Sequence, residues 1–304
     1  LDLLNAYKIV YVITGKNYTN LIGKVYGLIR TDLKLLKIAK TFKPDILVGR
    51  GSPYLAHLSV LIKKPYIAFI DTEHAHLVGM LSLPFADAVC TPSCFKGEVN
   101  PKKHVRFNGY KELAYLHPNY FKPDPSVLDD LGMSKNDRYI IIRLISWRAS
   151  HDTRSRGFTQ KTLERAIEVL SKYGDVFITS EGELNKSLKK YKITFPPEKL
   201  HSALYYATLY LGEGGTTAVE AALLGTPAIH VETFSSKIGE IMSAVEMHGN
   251  FDELVNRYNV LYTFTNPNKA IDKAMEILRA GSAKKYLLKR RNLIFKDKID
   301  VVVF

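Results

Sequence analysis

The chain has 304 residues, 46% of them hydrophobic, and carries 43 Lys and Arg against 30 Asp and Glu, a formal charge of +13. That apolar content, with 18 Tyr and 14 Phe, suits two domains of roughly 120 to 180 residues and excludes a disordered chain. Two cysteines, Cys90 and Cys94, exclude a disulfide framework, and no apolar run approaches the ~20 residues of a membrane span.

No signal peptide is recognisable, so a cytoplasmic setting is expected. The chain opens at Leu1 inside what reads as the end of a helix. An N-terminal piece holding a first βα unit is therefore expected to precede it. Strand and helix patterns then alternate. KIVYVIT (8–14) and DILVGR (45–50) read as strands, with an amphipathic helix over about 21–42 between them. A helix over about 54–62 leads to strand YIAFIDT (66–72), and strands DAVCTPS (87–93) and VRFNGY (105–110) follow. Three prolines in 117–128 mark a domain boundary near 122. Beyond it come strand RYIIIRLIS (138–146), a helix (159–173), strand DVFITSEG (175–182) and a helix near 198–207. VLYTFT (260–265) precedes a helix over 267–280. A basic segment, 286–304, closes the chain and is expected to return to the first lobe. Short apolar strands alternating with helices predict parallel sheets covered on both faces. Ligands in such sheets bind outside the carboxyl ends of the strands.

The richest stretch is LYLGEGGTTAVEAALLGTPAIHV, 209 to 231. It reads as strand, glycine turn, helix, Gly225-Thr226-Pro227 and strand. Glycine lets a ligand approach the backbone. A helix N-terminus offers unpaired N–H groups and a positive dipole end, with Thr216 and Thr217 expected to cap it. Gly214, Gly215, Thr216 and Thr217 are thus candidate diphosphate contacts, and Glu220, about one turn into the helix, a candidate acceptor of ribose hydroxyls. A tight turn that binds nothing is the plain alternative.

Other candidates also sit at strand ends. Arg50 and Gly51 follow the second strand, where Arg50 suits a phosphate or carboxylate. Asp71, Glu73, His74 and His76 follow YIAFI and suit a general base or hydrogen bonds to sugar hydroxyls. His74 and His76 lack further ligands at a familiar spacing, so no metal is expected. Asn108 with Gly109 ends another strand. In the second half, Arg143 inside an apolar strand predicts a buried ion pair. Ser146, Trp147 and Arg148 follow it, and Glu181 ends the next strand. No nucleophile elbow, Walker lysine loop or HExxH is present, which disfavours serine hydrolases, P-loop ATPases and zinc proteases. The +13 charge favours an anionic partner. No zinc-finger, helix-turn-helix or aromatic RNA-binding pattern is present, so nucleic acid is not favoured.

KPDILVGRGSPY, KPYIAFIDTEH, LPFADAVCTPSCF and Asn108-Gly109 resemble the first lobe of the UDP-GlcNAc transferase of peptidoglycan synthesis. GGTTAVEAALLGTPAI resembles the second lobe of that enzyme and of the non-hydrolysing UDP-GlcNAc 2-epimerases. DILVGRGSPY, DTEHAH, ELAYLHPNYFKPDP, SWRASHD and SEGE resemble, over most of the chain, a prokaryotic family known only as a domain of unknown function. The resemblance implies an α/β chain of GT-B fold, two Rossmann-like parallel-sheet lobes facing a cleft, with 1–122 on the acceptor side and 123–285 holding a nucleotide sugar. It implies donor contacts from Gly214, Gly215, Thr216, Thr217 and Glu220, and an acceptor near Gly51, Glu73, His74 and Asn108. The strand-end positions add Ser146, Arg148 and Glu181 as donor-side candidates and Arg50 and Asp71 as acceptor-side candidates. Glu73 and His74 are the catalytic candidates, and a glycine- and histidine-bearing catalytic loop of the transferases would precede Leu1. The nucleotide sugar is the substrate and no cofactor is required. The implied function is sugar transfer from a UDP-sugar or related donor to a lipid-linked or other anionic acceptor, with the basic C-terminal segment giving loose attachment to anionic lipid. A 2-epimerase and a non-catalytic nucleotide-sugar binder are the alternatives.

Overall fold

The computed structural model describes residues 1–15, 18, 20–145, 157–193, 195–232, 234–235 and 241–304. The chain divides into two units, Leu1–Phe107 and Asn108–Phe304.

In the first unit, α1 (Asp2–Ala6) and α2 (Leu21–Phe42) precede β1 (Leu47–Gly49), α3 (Pro53–Ile62) and β2 (Tyr66–Phe69). Then come α4 (His76–Ser82), β3 (Ala88–Pro92) and β4 (His104–Phe107). The four strands pair in parallel in the order β1-β2-β3-β4. Local chemistry starts the helices: Asn20 Oδ1 accepts the Gly23 N–H at 2.7 Å ahead of α2, and Ser52 with Pro53 opens α3. Leu47, Tyr66, Ala68 and Val89 pack with Ala39, Ala56 and Leu58 as the core. The strand expected over 8–14 is absent from the ladder. Val10, Val12 and Ile13 stand exposed there. Apolar, β-branched sequence makes a strand only where a neighbour takes its N–H and C=O groups, and none is beside it among the described residues.

In the second unit, α5 (Leu113–Leu116) and α6 (Ser126–Asp130) lead to β5 (Tyr139–Leu144), α7 (Gln160–Leu170) and β6 (Asp175–Ser180). Next are α8 (Leu200–Tyr206), β7 (Leu209–Gly212), α9 (Gly215–Leu223) and β8 (Ala228–Val231). A short antiparallel pair, β9 (Phe234–Ser235) and β10 (Ile241–Met242), is followed by α10 (Ala244–Met247) and α11 (Gly249–Asp252). β11 (Leu261–Phe264), α12 (Pro267–Ala280) and α13 (Ala283–Asp297) complete it. Five strands form a parallel sheet in the order β11-β8-β7-β5-β6. Ile140, Ile142, Leu209, Leu211, Ile229 and Val231 pack on Leu163 and Ile167 of α7 and on Ile271 and Ala274 of α12. The alternate residues Tyr139, Ile141, Tyr210 and Ala228 are buried as well, with α9 lying along β7 and β8, so both faces of the sheet are covered. The chain leaves β5 toward β6 and returns to β7 on the other side. That reversal between β5 and β7 leaves a crevice at the carboxyl ends of the two strands.

The division at Phe107/Asn108 precedes the boundary expected near 122. The prolines break secondary structure there without freeing the segment from the second unit. Tyr110 Oη donates to Glu253 Oε2 at 2.6 Å, Tyr120 Oη to Asp300 Oδ2 at 2.7 Å, and the Asp124 N–H to Ser202 Oγ at 3.0 Å. The basic C-terminal segment also belongs to the second unit, and several of its charges are turned inward. Lys298, its side chain 1% exposed, donates to Glu253 Oε2 at 2.6 Å and Asn108 Oδ1 at 3.1 Å. Lys284 donates to the carbonyls of Tyr205 and Ala207 at the end of α8, where burial lowers its pKa to about 8. Lys285, Lys289 and Lys296 remain exposed. Among the described residues, no helix is long and apolar enough to cross a membrane.

Candidate functional site

The β5–β7 crevice is where the second unit's polar groups converge. Arg143, on β5, is paired in register with Gly212 of β7. Its Nη2 donates to Glu181 Oε1 at 2.8 Å and its Nη1 to Thr179 Oγ1 at 3.5 Å. The ion pair expected for Arg143 therefore exists, although Glu181 is about half exposed rather than buried. Arg143 Nε is shielded from solvent and has no hydrogen-bond partner among the described residues. The guanidinium lies against the start of α9, for a Cβ on Gly214 would be 3.3 Å from Nε.

Gly214 is the N-cap residue of α9, in an extended conformation. Thr216 and Thr217, expected as caps, lie within the first turn instead, because Gly214 already has cap geometry and Gly215 begins the helix. Among the described residues no side chain caps this terminus, so its first N–H groups and the positive end of the dipole are left for another acceptor. Thr217 is buried and Thr216 exposed. Gly215 faces Phe251 and His230, which would meet a Cβ there at 3.6 and 3.9 Å. One turn further on, Glu220 accepts from Tyr115 Oη at 2.8 Å and lies 3.2 Å from His201 Nε2. Tyr115 stacks on His201 at 5.2 Å, which fixes both partners of the carboxylate.

Glu213, between β7 and α9, is buried among these groups. Burial pushes its carboxyl pKa up to about 7, against the backbone N–H groups of Ile145 and Phe158 that favour the anion, and the Glu232 charge adds to the rise. His230, fully buried on β8, has Nε2 3.1 Å from both the Glu213 carbonyl and Glu232 Oε2. Sequence reading overlooked Glu213, His230 and Glu232. The signal for Glu213 was a carboxylate set between Gly212 and Gly214 in a turn read as anion-binding, where a negative charge is out of place. Ser146 and Arg148, with Trp147, lie outside the described residues.

In the first unit, the loops after β1 and β2 meet. Arg50 Nη2 donates to Asp71 Oδ1 at 2.8 Å, with the arginine side chain 65% exposed. Gly51 adopts φ +49°, a left-handed conformation that favours glycine, and a Cβ there would be 3.1 Å from Ile70 Cγ2. Arg50, Gly51 and Asp71 are thus brought together. Glu73 accepts from the Lys96 N–H at 3.3 Å, and His74 follows it, half-buried, in the turn before α4. Asn108 lies within the second unit, where Nδ2 donates to the Asp297 carbonyl at 2.7 Å and Oδ1 accepts from Lys298.

The family described as protein of unknown function (DUF354) matches residues 1–266. Among solved structures, a Listeria monocytogenes protein described as a UDP-N-acetylglucosamine 2-epimerase is similar, with a TM-score of 0.61, 13% identity, and coverage of 94% of this chain and 79% of that one. The spinosyn forosaminyltransferase SpnP has a TM-score of 0.58 at 13% identity, covering 98% and 85%. Anabaena HepE in complex with UDP and glucose has a TM-score of 0.58 at 14% identity, covering 99% and 85%. At these identities the likeness establishes the fold alone: GT-B, with two Rossmann-like parallel-sheet units.

Proposed function

The chain belongs to the family described as protein of unknown function (DUF354), and we propose that it is a glycosyltransferase whose second unit binds a nucleoside-diphosphate sugar, with UDP-sugars favoured. One observation carries this reading. At the β5–β7 switch point, the uncapped first turn of α9 and the Arg143 guanidinium converge on one spot. N–H groups with a positive dipole end bind a diphosphate, and a guanidinium adds a charge-assisted donor. The same groups stabilise the negative charge that the diphosphate gains as the sugar departs. SpnP and HepE, of the same fold, are described as a sugar transferase and as a complex with UDP and glucose.

In this reading Gly214, Gly215, Thr216 and Thr217 meet the diphosphate. Glu220, oriented by Tyr115 and His201, accepts from the ribose hydroxyls. Arg50, Gly51 and Asp71 of the first unit hold the acceptor, lipid-linked or otherwise anionic, and Glu73 or His74 takes the proton of its attacking hydroxyl. Lys285, Lys289 and Lys296 are the exposed cations that would meet an anionic lipid surface.

The test is the melting temperature of the protein against a panel of nucleotide sugars and free nucleotides. A ligand at a hundred times its Kd stabilises by about 2.7 kcal/mol. A selective shift with one sugar nucleotide supports the donor site. No shift at millimolar ligand ends the reading. Sugar-nucleotide turnover without any acceptor would assign a 2-epimerase instead, and tight binding without turnover across a broad acceptor screen would leave a binding protein.

A further inference from the structure

The strand-like stretch 8–14, which joins no ladder, leads into residues that lie along one face of α2. Gly27, Arg30, Thr31 and Lys34 stand three or four residues apart in that helix and so share a face. Lys34 Nζ donates to the Ile13 carbonyl at 2.5 Å. Gly15 sits over Thr31, for a Cβ there would be 2.7 Å from Thr31 Oγ1. Tyr18 lies on Gly27, where a Cβ would be 2.6 Å from its ring, and meets Tyr26 edge-on with centroids 6.1 Å apart. Only glycine permits either approach. A cavity of about 150 Å³ remains between this stretch and the helix, lined by Ile13, Thr14, Tyr18, Arg30, Thr31 and Lys34 besides the two glycines. No Asp or Glu lines it, so it presents two positive charges and three hydroxyls. Arg30 makes no hydrogen bond or ion pair among the described residues, and Lys34 keeps two of its three N–H donors. Like charges four residues apart on one helix repel. Thr31 is only 7% exposed, yet its hydroxyl has no hydrogen-bond partner among the described residues. Thr41, further along α2, instead turns its hydroxyl back to the Lys37 carbonyl at 3.4 Å. A buried hydroxyl without a partner is costly to keep.

We propose that this cavity binds a single phosphate group, at a site in the first unit that shares no residue with the donor reading above. Its volume is that of about five waters at roughly 30 Å³ each. That falls short of the roughly 300 Å³ or more that a drug-sized ligand fills. One small anion fits, and a nucleotide does not. Arg30 and Lys34 supply charge-assisted donors, and an anion between them relieves their repulsion. The hydroxyls of Thr31 on the helix and Thr14 on the facing stretch add donors from opposite sides. A phosphate carries three acceptor oxygens to meet donors converging in this way, whereas a planar carboxylate has two. Free phosphate and the phosphate of a lipid headgroup present the same chemistry here.

Inorganic phosphate is the first probe, titrated calorimetrically into the full chain and its variants at pH 8. Arg30→Gln should weaken binding about tenfold or more, the worth of one hydrogen bond to a charged group. The fold should persist, because Arg30 is exposed and pairs with nothing among the described residues. Thr31→Val keeps the shape of the side chain and removes its hydroxyl, and should weaken binding about fivefold. Lys37→Gln takes the same charge from α2 outside the cavity and should change affinity less than about twofold. Equal losses in Arg30→Gln and Lys37→Gln, or no loss in Thr31→Val, would leave only general attraction to a basic surface and overturn the site. A loss confined to Arg143→Ala would place the phosphate at the start of α9 and overturn it too. UDP that fails to bind ends the donor reading alone. Co-sedimentation with phosphatidylcholine vesicles, with and without phosphatidic acid, separates the two sources. Attachment that needs phosphatidic acid and is lost in Arg30→Gln and Thr31→Val, with no binding of free phosphate, assigns a lipid headgroup. Binding of neither form ends the proposal.

Discussion

The two units carry the same kind of parallel sheet, yet the charges at their strand ends are in different physical states. After β1 and β2, the Arg50 guanidinium stands largely in water, its side chain 65% exposed, where it meets the mostly buried carboxylate of Asp71. At the β5–β7 crevice, Glu213 and His230 are buried, and Arg143 Nε is shielded without a partner among the described residues. Water already hydrates an exposed guanidinium, so the geometry of Arg50 says little about a ligand. Buried polar groups and an uncapped helix end are costly to maintain, and such costs concentrate where a site uses them. The sheets beneath differ in the same way. Ile142 on β5 is fully buried, whereas Val48 on β1 is 56% exposed.

The largest effect that can test this contrast is on packing. Ile142→Ala should destabilise the second unit by about 2–5 kcal/mol, because the gap opens between β5 and helices α7 and α12. Val48→Ala should change the first unit by no more than about 0.5 kcal/mol. Hydrogen exchange resolved by segment reads each unit separately, which a single melting curve does not. Comparable losses would mean that β1 is as well covered as β5.

Next in size is the pH dependence due to Glu213. Its folded pKa, about 7, lies above the 4.5 of an unperturbed glutamate. The folded state therefore holds its proton more tightly, and the stability it contributes is full below about 4.5 and lost as pH rises through 7. The loss amounts to about 3 kcal/mol. Glu213→Gln should flatten that part of the stability–pH curve, as measured by urea unfolding at fixed pH values. An identical slope in both proteins would put the proton elsewhere in the cluster.

The alternation of elements was legible because it depends on local periodicity. The helix over 267–280 falls where its pattern put it, since Asn266 caps the start and Gly281, at φ +68°, ends it. What escaped depended on partners distant in sequence. KIVYVIT has strand composition but no strand beside it among the described residues. The prolines after 117 suggested a linker, but Tyr110, Tyr120 and Asp124 bind residues far downstream. Glu213 was visible as an odd residue in a glycine turn. Its hydrogen-bond partners, the backbone N–H groups of Ile145 and Phe158, are adjacent to it only in the folded chain.

A smaller effect separates the two arginines. Arg143→Ala removes the guanidinium beside Gly214 and should weaken UDP binding by about 1.5–3 kcal/mol, roughly 10- to 150-fold. Its partner Glu181 is exposed enough to be hydrated alone, so the fold should survive. Calorimetric titration with UDP measures the change. Unaltered affinity with intact secondary structure would confine Arg143 to its ion pair.

Arg50→Ala should do least to anything but turnover. With the Arg50 side chain 65% exposed, its pair with Asp71 contributes about 1 kcal/mol, part of it screened at physiological salt. Affinity for UDP should stay the same, because the proposed donor contacts all lie in the second unit. If Arg50 holds an anionic acceptor, KM for that acceptor should rise while the donor KM does not. A loss of UDP affinity equal to that of Arg143→Ala would erase the distinction between the two strand-end clusters. Unchanged kinetics with every acceptor tested would reduce Arg50 to a surface arginine at a turn. The pair of variants is informative because each removes one guanidinium from the carboxyl end of a parallel sheet, and only the degree of burial and the neighbouring helix terminus differ.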